Sequence, residues 1–237
     1  MSSLTTIGFD ADDTLWQNEQ FFHQTRGRYY ELLKDHVDAQ RLAASLDETE
    51  RRMLKLYGFG AKGFILSMVE TAIAVTDGKI PASVIAEIMD VGRFMLTHPI
   101  ELLPGARETV EALVGRYRLV LVTKGDLFHQ ESKLAASGLG ELFDGIEIVS
   151  DKSRATYERV FARHGDGADR AMMIGNSLKS DVLPAIEAGG WGVFVPHDLT
   201  WTVEHADEPD GHPRFRKIAH LGELADVIEE VAGVPPP

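Results

Sequence analysis

Residues 4–16 read LTTIGFDADDTLW, an apolar run that leads directly into a cluster of acidic residues. The apolar part, Leu4 to Phe9, has the length and composition of a β-strand that is covered on both faces. Asp10 and Asp12 follow at once, so the strand carries carboxylates at its carboxyl end. Ligands of open α/β sheets bind at that edge. The stretch therefore predicts the first strand of a parallel sheet with an acidic site at its end.

The alternation of strand and helix patterns continues through the second half of the chain. Four more strand-length apolar runs lie at Arg118 to Val122, Gly145 to Val149, Ala171 to Ile174 and Gly192 to Val195. Helical patterns lie at Arg107 to Val114, Leu127 to Ser137, Ala155 to Arg163 and Asp181 to Ala188. Strands that alternate with helices in this way form parallel sheets. We therefore predict an α/β fold with a doubly wound, Rossmann-like parallel sheet.

The segment between the first two strands is helical and too long for a connecting loop. Apolar residues recur there at helical spacing in three places, within Phe21 to Leu33, Phe64 to Ile73 and Val84 to Met95. Each place fits an amphipathic helix. We therefore predict that residues 17–100 form an inserted α-helical cap domain and that residues 1–16 and 101–237 form the Rossmann-like catalytic core.

Charge and composition exclude several classes of partner. The chain of 237 residues has a formal net charge of −13 and no cysteine. It lacks a lysine and arginine cluster on which a nucleic-acid backbone could dock, and its negative field repels polyanions. No apolar run is long enough to span a bilayer, and the N-terminal residues lack the basic region of a secretory signal. We therefore expect a cytoplasmic protein, monomer or homodimer, that binds neither nucleic acid nor membranes.

Polar residues also follow the later strands: Thr123 and Lys124 the second, Lys152 the third, and Asn176 and Asp181 the fourth. Because the carboxyl ends of parallel strands share one edge, we expect these residues to meet Asp10 and Asp12. A hydroxyl and main-chain amides can hold phosphate oxygens, and neighbouring carboxylates need a counter-cation. An isolated Asp-x-Asp-x-Thr stretch fits a turn that caps the next helix equally well, and Asp13 fits that capping role.

Together and in this order, the four strand ends resemble the motifs of the haloacid dehalogenase superfamily, in its phosphatase branch with a helical cap between the first two motifs. The resemblance covers nearly the whole chain. It implies that Asp10 attacks phosphorus and forms an aspartyl-phosphate, and that Asp12 is the general acid and base. It also implies that Thr123, Lys124 and Lys152 bind the phosphoryl group, although Lys124 fits a solvated surface as well.

The resemblance further implies a magnesium ion and a small-molecule phosphate monoester as substrate. The ligands of the ion would be the Asp10 carboxylate, the Asp12 main-chain carbonyl and Asp181, which are the oxygen donors that magnesium prefers. The family commonly has Asp where this chain has Asn176, so we expect weaker metal binding. In the cap, the glycine-rich stretch at residues 57–63 places Lys62 where it can contact an anionic substrate group. The same stretch fits an ordinary helix–helix turn equally well.

Four other functions fit parts of the pattern. A haloacid dehalogenase shares the Asp10 nucleophile but lacks an acid two residues later and needs no magnesium, so Asp12 and Asp181 favour phosphate. A phosphosugar mutase would keep both Asp10 and Asp12. A phospho-receiver signalling domain would be phosphorylated after its third strand, where this chain has Asp151, and it has no use for a cap. A non-catalytic binding protein rests on Asn176 alone.

Overall fold

The structure is a computed structural model, and it describes residues 4–199, 201 and 204–233. The chain divides into two compact units. The described residues within Met1–Glu19, Ile100–Lys124 and Glu131–Pro237 form the first, which we call the core unit. Gln20–Pro99 and Gly125–Gln130 form the second, which we call the helical unit. The cap role of the inserted segment stays a prediction.

The core unit is built on a parallel sheet of six strands in the order β3-β2-β1-β4-β5-β6. The strands are β1 (Thr6–Phe9), β2 (Arg118–Lys124), β3 (Gly145–Val149), β4 (Ala171–Gly175), β5 (Trp191–Phe194) and β6 (Phe215–Lys217). The five strands and the parallel α/β arrangement predicted from the sequence are confirmed. β6 was not predicted, because its three residues at the sheet edge include a single apolar side chain.

The register of the sheet brings the functional strand ends together. Phe9, the last residue of β1, pairs with Leu121 of β2 and with Ile174 of β4. Strands β2 and β3 lie on one side of β1, and strands β4, β5 and β6 lie on the other. The strand order therefore reverses between β1 and β4, which makes this position a topological switch point. Such points open a crevice outside the carboxyl ends of the strands.

Both faces of the sheet are covered, as nearly continuous apolar strands require. Leu119 and Leu121 of β2 belong to one hydrophobic cluster, and Val120 and Val122 belong to another. The first cluster also takes residues from α5 (Ala106–Leu113) and α9 (Leu224–Gly233). The second takes residues from α7 (Arg154–His164) and α8 (Leu183–Glu187). Helix α6 (Leu127–Ser137) follows β2.

The helical unit has its own hydrophobic core, built from α1 (Glu19–Leu33), α2 (Ala39–Tyr57), α3 (Ala61–Val75) and α4 (Ala82–Thr97). The three helices predicted from the sequence are present as α1, α3 and α4, whereas α2 was missed. This helix is rich in charged residues, and it buries a narrow stripe that includes Leu42, Leu46 and Met53. Its start is marked by Asp38, whose side chain accepts from the backbone N–H groups of Gln40 and Arg41. Among the described residues, no helix is long and apolar enough to cross a membrane.

Candidate active site

Three strand ends of the core unit meet at a buried ammonium group. Lys152, which follows β3, donates from Nζ to Oδ1 of Asp10 and, at 2.6 Å, to Oδ1 of Asp181. Asp10 follows β1, and Asp181 lies in a π-helical turn, Leu178–Val182, after β4. All three side chains are buried. Such charges are tolerated in a protein interior when they are paired and hydrogen-bonded, so the three residues form one electrostatic unit.

The charges in this unit do not balance. Burial, and then the charge of Asp181, raise the pKa of Asp10 to about 7 against the opposing effect of Lys152. Burial disfavours the charged form of Lys152 as well, but the attraction of Asp10 and Asp181 outweighs it and raises the pKa of Lys152 above its ordinary value. Two carboxylates therefore share one ammonium, and the shortage of positive charge favours a bound cation.

A glycine makes room for Asp181. A Cβ atom on Gly175, the last residue of β4, would clash with Oδ2 of Asp181. The same Oδ2 accepts a 3.0 Å hydrogen bond from the backbone N–H of Ser177. The carboxylate is therefore fixed between the strand end and the turn that follows it. The sequence interpretation gave Gly175 no role, although a glycine before Asn176 is a signal of close approach.

The loop after β1 connects Asp10 to Asn176. Thr14 donates from Oγ1 to Oδ2 of Asp10 at 3.1 Å, and it accepts from the backbone N–H of Asn176 at 3.1 Å. With its amide oriented by its hydrogen-bond partners, Asn176 donates from its side-chain nitrogen to Oδ2 of Asp10 and to the main-chain carbonyl of Asp12, each at 3.2 Å. The loop thus places the Asp10 carboxylate, the Asp12 carbonyl and the Asn176 amide side by side.

Asp13 has a different environment. It accepts from the backbone N–H groups of Asn18 and Glu19 at 2.8 and 3.0 Å, so it caps the start of α1 as the sequence predicted. Its backbone has a φ of 60°, in the left-handed region. Burial and the charge of Asp12 raise the pKa of Asp13 to about 6, although His197 opposes the shift. We assign Asp13 to the structure of the loop.

Asp12 has different hydrogen-bond partners from Asp10. Its Oδ1 accepts from Trp16 Nε1 at 2.7 Å and from Lys133 Nζ at 2.6 Å. Lys133 lies on α6, and the sequence interpretation missed it. Lys133 lies on a helix face whose other buried members, at helical spacing, are Gln130, Leu134 and Ser137. Only Leu134 is apolar among these three, so the sequence has no apolar stripe that would mark Lys133 as buried. A lysine on such a buried face calls for an acidic partner.

The three residues predicted to bind phosphate lie in different environments. Lys152 joins the unit described above, and Thr123 is buried at the end of β2. Lys124 donates from Nζ to Glu204 Oε1 at 2.5 Å and to Ser180 Oγ at 2.8 Å. Glu204, which the sequence interpretation missed, also accepts from the hydroxyls of Ser177 and Ser180. The sequence offers no local signal for Glu204, because it does not directly follow a strand.

Replacing Glu204 tests how much its contacts with Lys124, Ser177 and Ser180 stabilise the fold. Burial alone would raise the pKa of Glu204, but Lys124 and the two hydroxyls outweigh burial and lower it below its ordinary value of 4.5. As the pH falls, the unfolded chain therefore takes up a proton before the folded protein does. The stability from this carboxylate is fully present above about pH 4.5 and is lost as the pH falls through the lowered pKa. We expect Glu204→Gln to reduce the free energy of unfolding by about 1–3 kcal/mol at pH 7.

The measurement is urea unfolding of parent and variant at pH 7 and pH 3.5. The difference in stability between them should narrow at the lower pH. Glu229→Gln, at an exposed position of α9, is the matched control and should change stability by less than about 0.5 kcal/mol. A Glu204 effect that stayed constant with pH would show that the carboxylate charge does not stabilise the fold.

Lys62 lies in the helical unit, where its ammonium pairs with both oxygens of Asp126 at 2.9 and 3.0 Å. Asp126 belongs to the same unit. Burial is the largest single effect and would raise the pKa of Asp126, but the hydrogen bonds from Lys62 and the His129 backbone, together with the charges of these two residues, outweigh it and lower the pKa. The predicted contact between Lys62 and a substrate stays a prediction.

The oxygen atoms around Asp10 fit a magnesium ion. Among the described residues, no three His, Cys, Asp or Glu side chains gather at metal-binding geometry. Magnesium is commonly held by one or two carboxylates together with water and substrate oxygens. Asp10 and Asp181 supply two carboxylates, and the Asp12 carbonyl adds a neutral oxygen beside Asp10. The donor set and the excess negative charge therefore both suit this cation.

Comparison with known proteins identifies the family. A model of haloacid dehalogenase-like hydrolases matches residues 4–189, so the chain belongs to this family of hydrolases. A haloacid dehalogenase-like family hydrolase from Xanthomonas campestris has a similar structure, with a TM-score of 0.84 and 38% identity over 98% of each chain. The resemblance inferred from the four strand ends is confirmed.

Two curated relatives are named as a nucleotidase and a phosphatase. The chain is 24% identical over 132 residues to pyrimidine 5′-nucleotidase YjjG of Escherichia coli strain K12, covering 53% of this chain and 56% of that protein. It is 28% identical over 126 residues to glyceraldehyde 3-phosphate phosphatase of Methanothermobacter thermautotrophicus, covering 50% of this chain and 54% of that protein. The matched regions span about half the length of each relative.

Proposed function

We propose that this hydrolase is a magnesium-dependent phosphatase that cleaves a small-molecule phosphate monoester through an aspartyl-phosphate intermediate. The observation that carries the proposal is that two carboxylates on one loop have different partners. Asp10 is bound to Lys152, beside Asp181, whereas Asp12 is bound to Trp16 and Lys133. Two carboxylates in different environments can take different roles in one reaction.

The proposed chemistry has two steps. A carboxylate oxygen of Asp10 forms a bond to phosphorus while the bond from phosphorus to the ester oxygen breaks, and Asp12 gives its proton to the departing oxygen. A water oxygen then bonds to phosphorus, the bond from phosphorus to Asp10 breaks, and Asp12 takes the proton of the water. The products are an alcohol and inorganic phosphate, and both aspartates return to their starting states.

Other residues of the core unit hold the phosphoryl group in this proposal. Lys152 places its ammonium beside the Asp10 carboxylate, where it can also meet phosphoryl oxygens. Thr123 supplies a hydroxyl at the end of the neighbouring strand β2. Lys124 is the third proposed phosphate contact, and it would have to share its charge between phosphate and Glu204.

The proposed metal ligands are the Asp10 carboxylate, the Asp12 main-chain carbonyl and Asp181, with Asn176 beside them. When bound, magnesium supplies positive charge that stabilises developing negative charge on phosphoryl oxygens. The ion also offsets the repulsion between Asp10 and Asp181, which Lys152 alone does not balance. The neutral Asn176 adds no charge to this set, so we expect a modest affinity for the ion.

Asp12 favours phosphate hydrolysis over the dehalogenation that other proteins with this fold catalyse. Displacement of a halide from carbon needs no proton donor for the leaving group, whereas an alkoxide leaving phosphorus does. The curated relatives favour phosphate as well, since they are named for a pyrimidine nucleotide and for glyceraldehyde 3-phosphate. Both of these are small phosphate monoesters. We propose a cytoplasmic enzyme, monomer or homodimer, that acts on a substrate of this class.

The test is turnover of a panel of sugar phosphates, nucleoside monophosphates and small organic phosphates with and without magnesium. Excess chelator should abolish turnover, and added magnesium should restore it. Removal of one group that stabilises transition-state charge typically costs about 10²–10³-fold, and we expect at least that loss. Full turnover in excess chelator would overturn the proposed mechanism, and inactivity on every ester with magnesium would overturn the proposed function.

A further inference from the structure

Two donors hold the Asp12 carboxylate at Oδ1. Trp16 Nε1 lies 2.7 Å from Oδ1, and Lys133 Nζ lies 2.6 Å from the same atom. Lys133 also donates to Oδ1 of Asn18 at 2.9 Å. The Lys133 side chain is 5% exposed, so its ammonium makes these contacts away from bulk water. Both donors come from the core unit, as Asp12 does.

Two donors saturate the oxygen that they share. A carboxylate oxygen has about two lone-pair sites, and Oδ1 uses both of them on Trp16 and Lys133. A charge-assisted bond from an ammonium is roughly twice as strong as a neutral hydrogen bond. A proton placed on Oδ1 would have to displace one of these donors. The two donors therefore fix the orientation of the Asp12 carboxylate.

We propose that Lys133 is a positioning residue for the general acid. Together with Trp16 it binds Oδ1 of Asp12 and fixes the plane of the carboxylate. This inference rests on the proposed phosphatase function, and it assigns a role to a lysine outside the four strand-end motifs. Lys133 acts through Asp12 and makes no contact with the reacting atoms in this proposal.

Stability alone does not account for a lysine at this position. Replacement of a buried ion pair by apolar side chains of similar volume is often neutral or stabilising. An apolar residue at position 133 would continue the buried face that includes Leu134. The Lys133 ammonium instead holds the Asp12 carboxylate in one orientation. Orientation matters here, because a proton donor must lie within hydrogen-bond reach of the leaving oxygen.

The role predicts a dependence on the leaving group. In Lys133→Met the side-chain length is kept and the donor to Oδ1 is lost, so Asp12 is no longer held in place. An alkyl phosphate needs a proton on its departing oxygen, and its kcat should fall about 10²-fold, the lower end of general-acid contributions. p-Nitrophenyl phosphate has a leaving group that needs little protonation. Its first turnover, seen as a burst of nitrophenol, should stay within about twofold of the parent.

The experiment compares Lys133→Met, Asp12→Asn and the double variant, with both esters and magnesium at saturation. If Lys133 acts through Asp12, adding Lys133→Met to Asp12→Asn should change the rates by less than about twofold. KM should change little in Lys133→Met, because the residue does not bind the phosphate. Lys217→Met, on the edge strand β6, is the matched control and should behave as the parent does. If Lys133→Met does not fold, Trp16→Phe removes the other donor to Oδ1 and is expected to give the same pattern.

The outcomes separate this inference from the function on which it rests. An inactive parent would overturn the proposed function, and the inference with it. If the parent is active, equal losses for both esters in Lys133→Met would overturn the positioning role alone. Independent, multiplying effects of Lys133→Met and Asp12→Asn would overturn it as well.

Discussion

Asp10→Asn is expected to remove hydrolysis of every phosphate ester and to leave no phosphorylated protein. The substitution keeps the size of the side chain but replaces the anionic nucleophile with a neutral amide. Removal of the nucleophile from a covalent enzyme costs about 10⁶-fold in kcat, and we expect a loss of that order. The measurement is steady-state turnover with magnesium, together with acid-quench detection of phosphoprotein.

The fold should survive this change. An amide oxygen can still accept from Thr14, and Lys152 keeps its contact with Asp181. Loss of the Asp10 charge also removes its repulsion with Asp181. Asp38→Asn is the matched control, because Asn caps a helix about as well as Asp and Asp38 caps α2 in the helical unit. Turnover above about 1% of the parent rate in a folded Asp10→Asn protein would contradict the nucleophile assignment.

Asp12→Asn is expected to slow turnover in a way that depends on the leaving group. The variant keeps Asp10 but loses the proton donor for the first step and the base for the second. General acid–base assistance contributes about 10²–10⁴-fold, and kcat for alkyl and sugar phosphates should fall by that factor. An ester of an acidic phenol should still phosphorylate Asp10. Stopped-flow and steady-state assays with both ester types make the comparison.

Accumulation of phosphoenzyme is the second expected property of Asp12→Asn. With an aryl ester the first step remains fast while hydrolysis of the intermediate becomes slow, so label should build up on the protein. The Asn side chain retains an oxygen that can accept from Trp16 and Lys133, which should preserve the local structure. If the variant hydrolysed alkyl phosphates at the parent rate, Asp12 would be a structural turn residue.

The sequence predicted the sheet well because its strands are locally encoded. Five strands appear as apolar runs, and the polar residues that end β1 and β4 lie where those runs predict. Asp10, Lys152 and Asp181 could be brought together in advance, since the ends of parallel strands share one edge. Helix α2 and strand β6 were missed, because charge dominates one and the other is short.

The contacts of individual charged side chains were harder to predict. Lys133 and Asp12 are far apart in the sequence and come from elements whose local patterns do not refer to each other. Glu204 reaches Lys124 from a segment beyond β5 that has no regular pattern. Such pairings depend on how side chains fill the space between packed elements.

The most direct test of the central claim is the location of the phosphoryl group on the protein. Asp12→Asn is mixed with magnesium and an aryl phosphate labelled in its phosphoryl group, quenched in acid, digested and mapped by mass spectrometry. We predict that the label lies on the peptide that contains Asp10 and that the Asp10→Asn, Asp12→Asn double variant carries none. Label on a different residue, or none on a protein whose parent hydrolyses the same ester, would contradict the account.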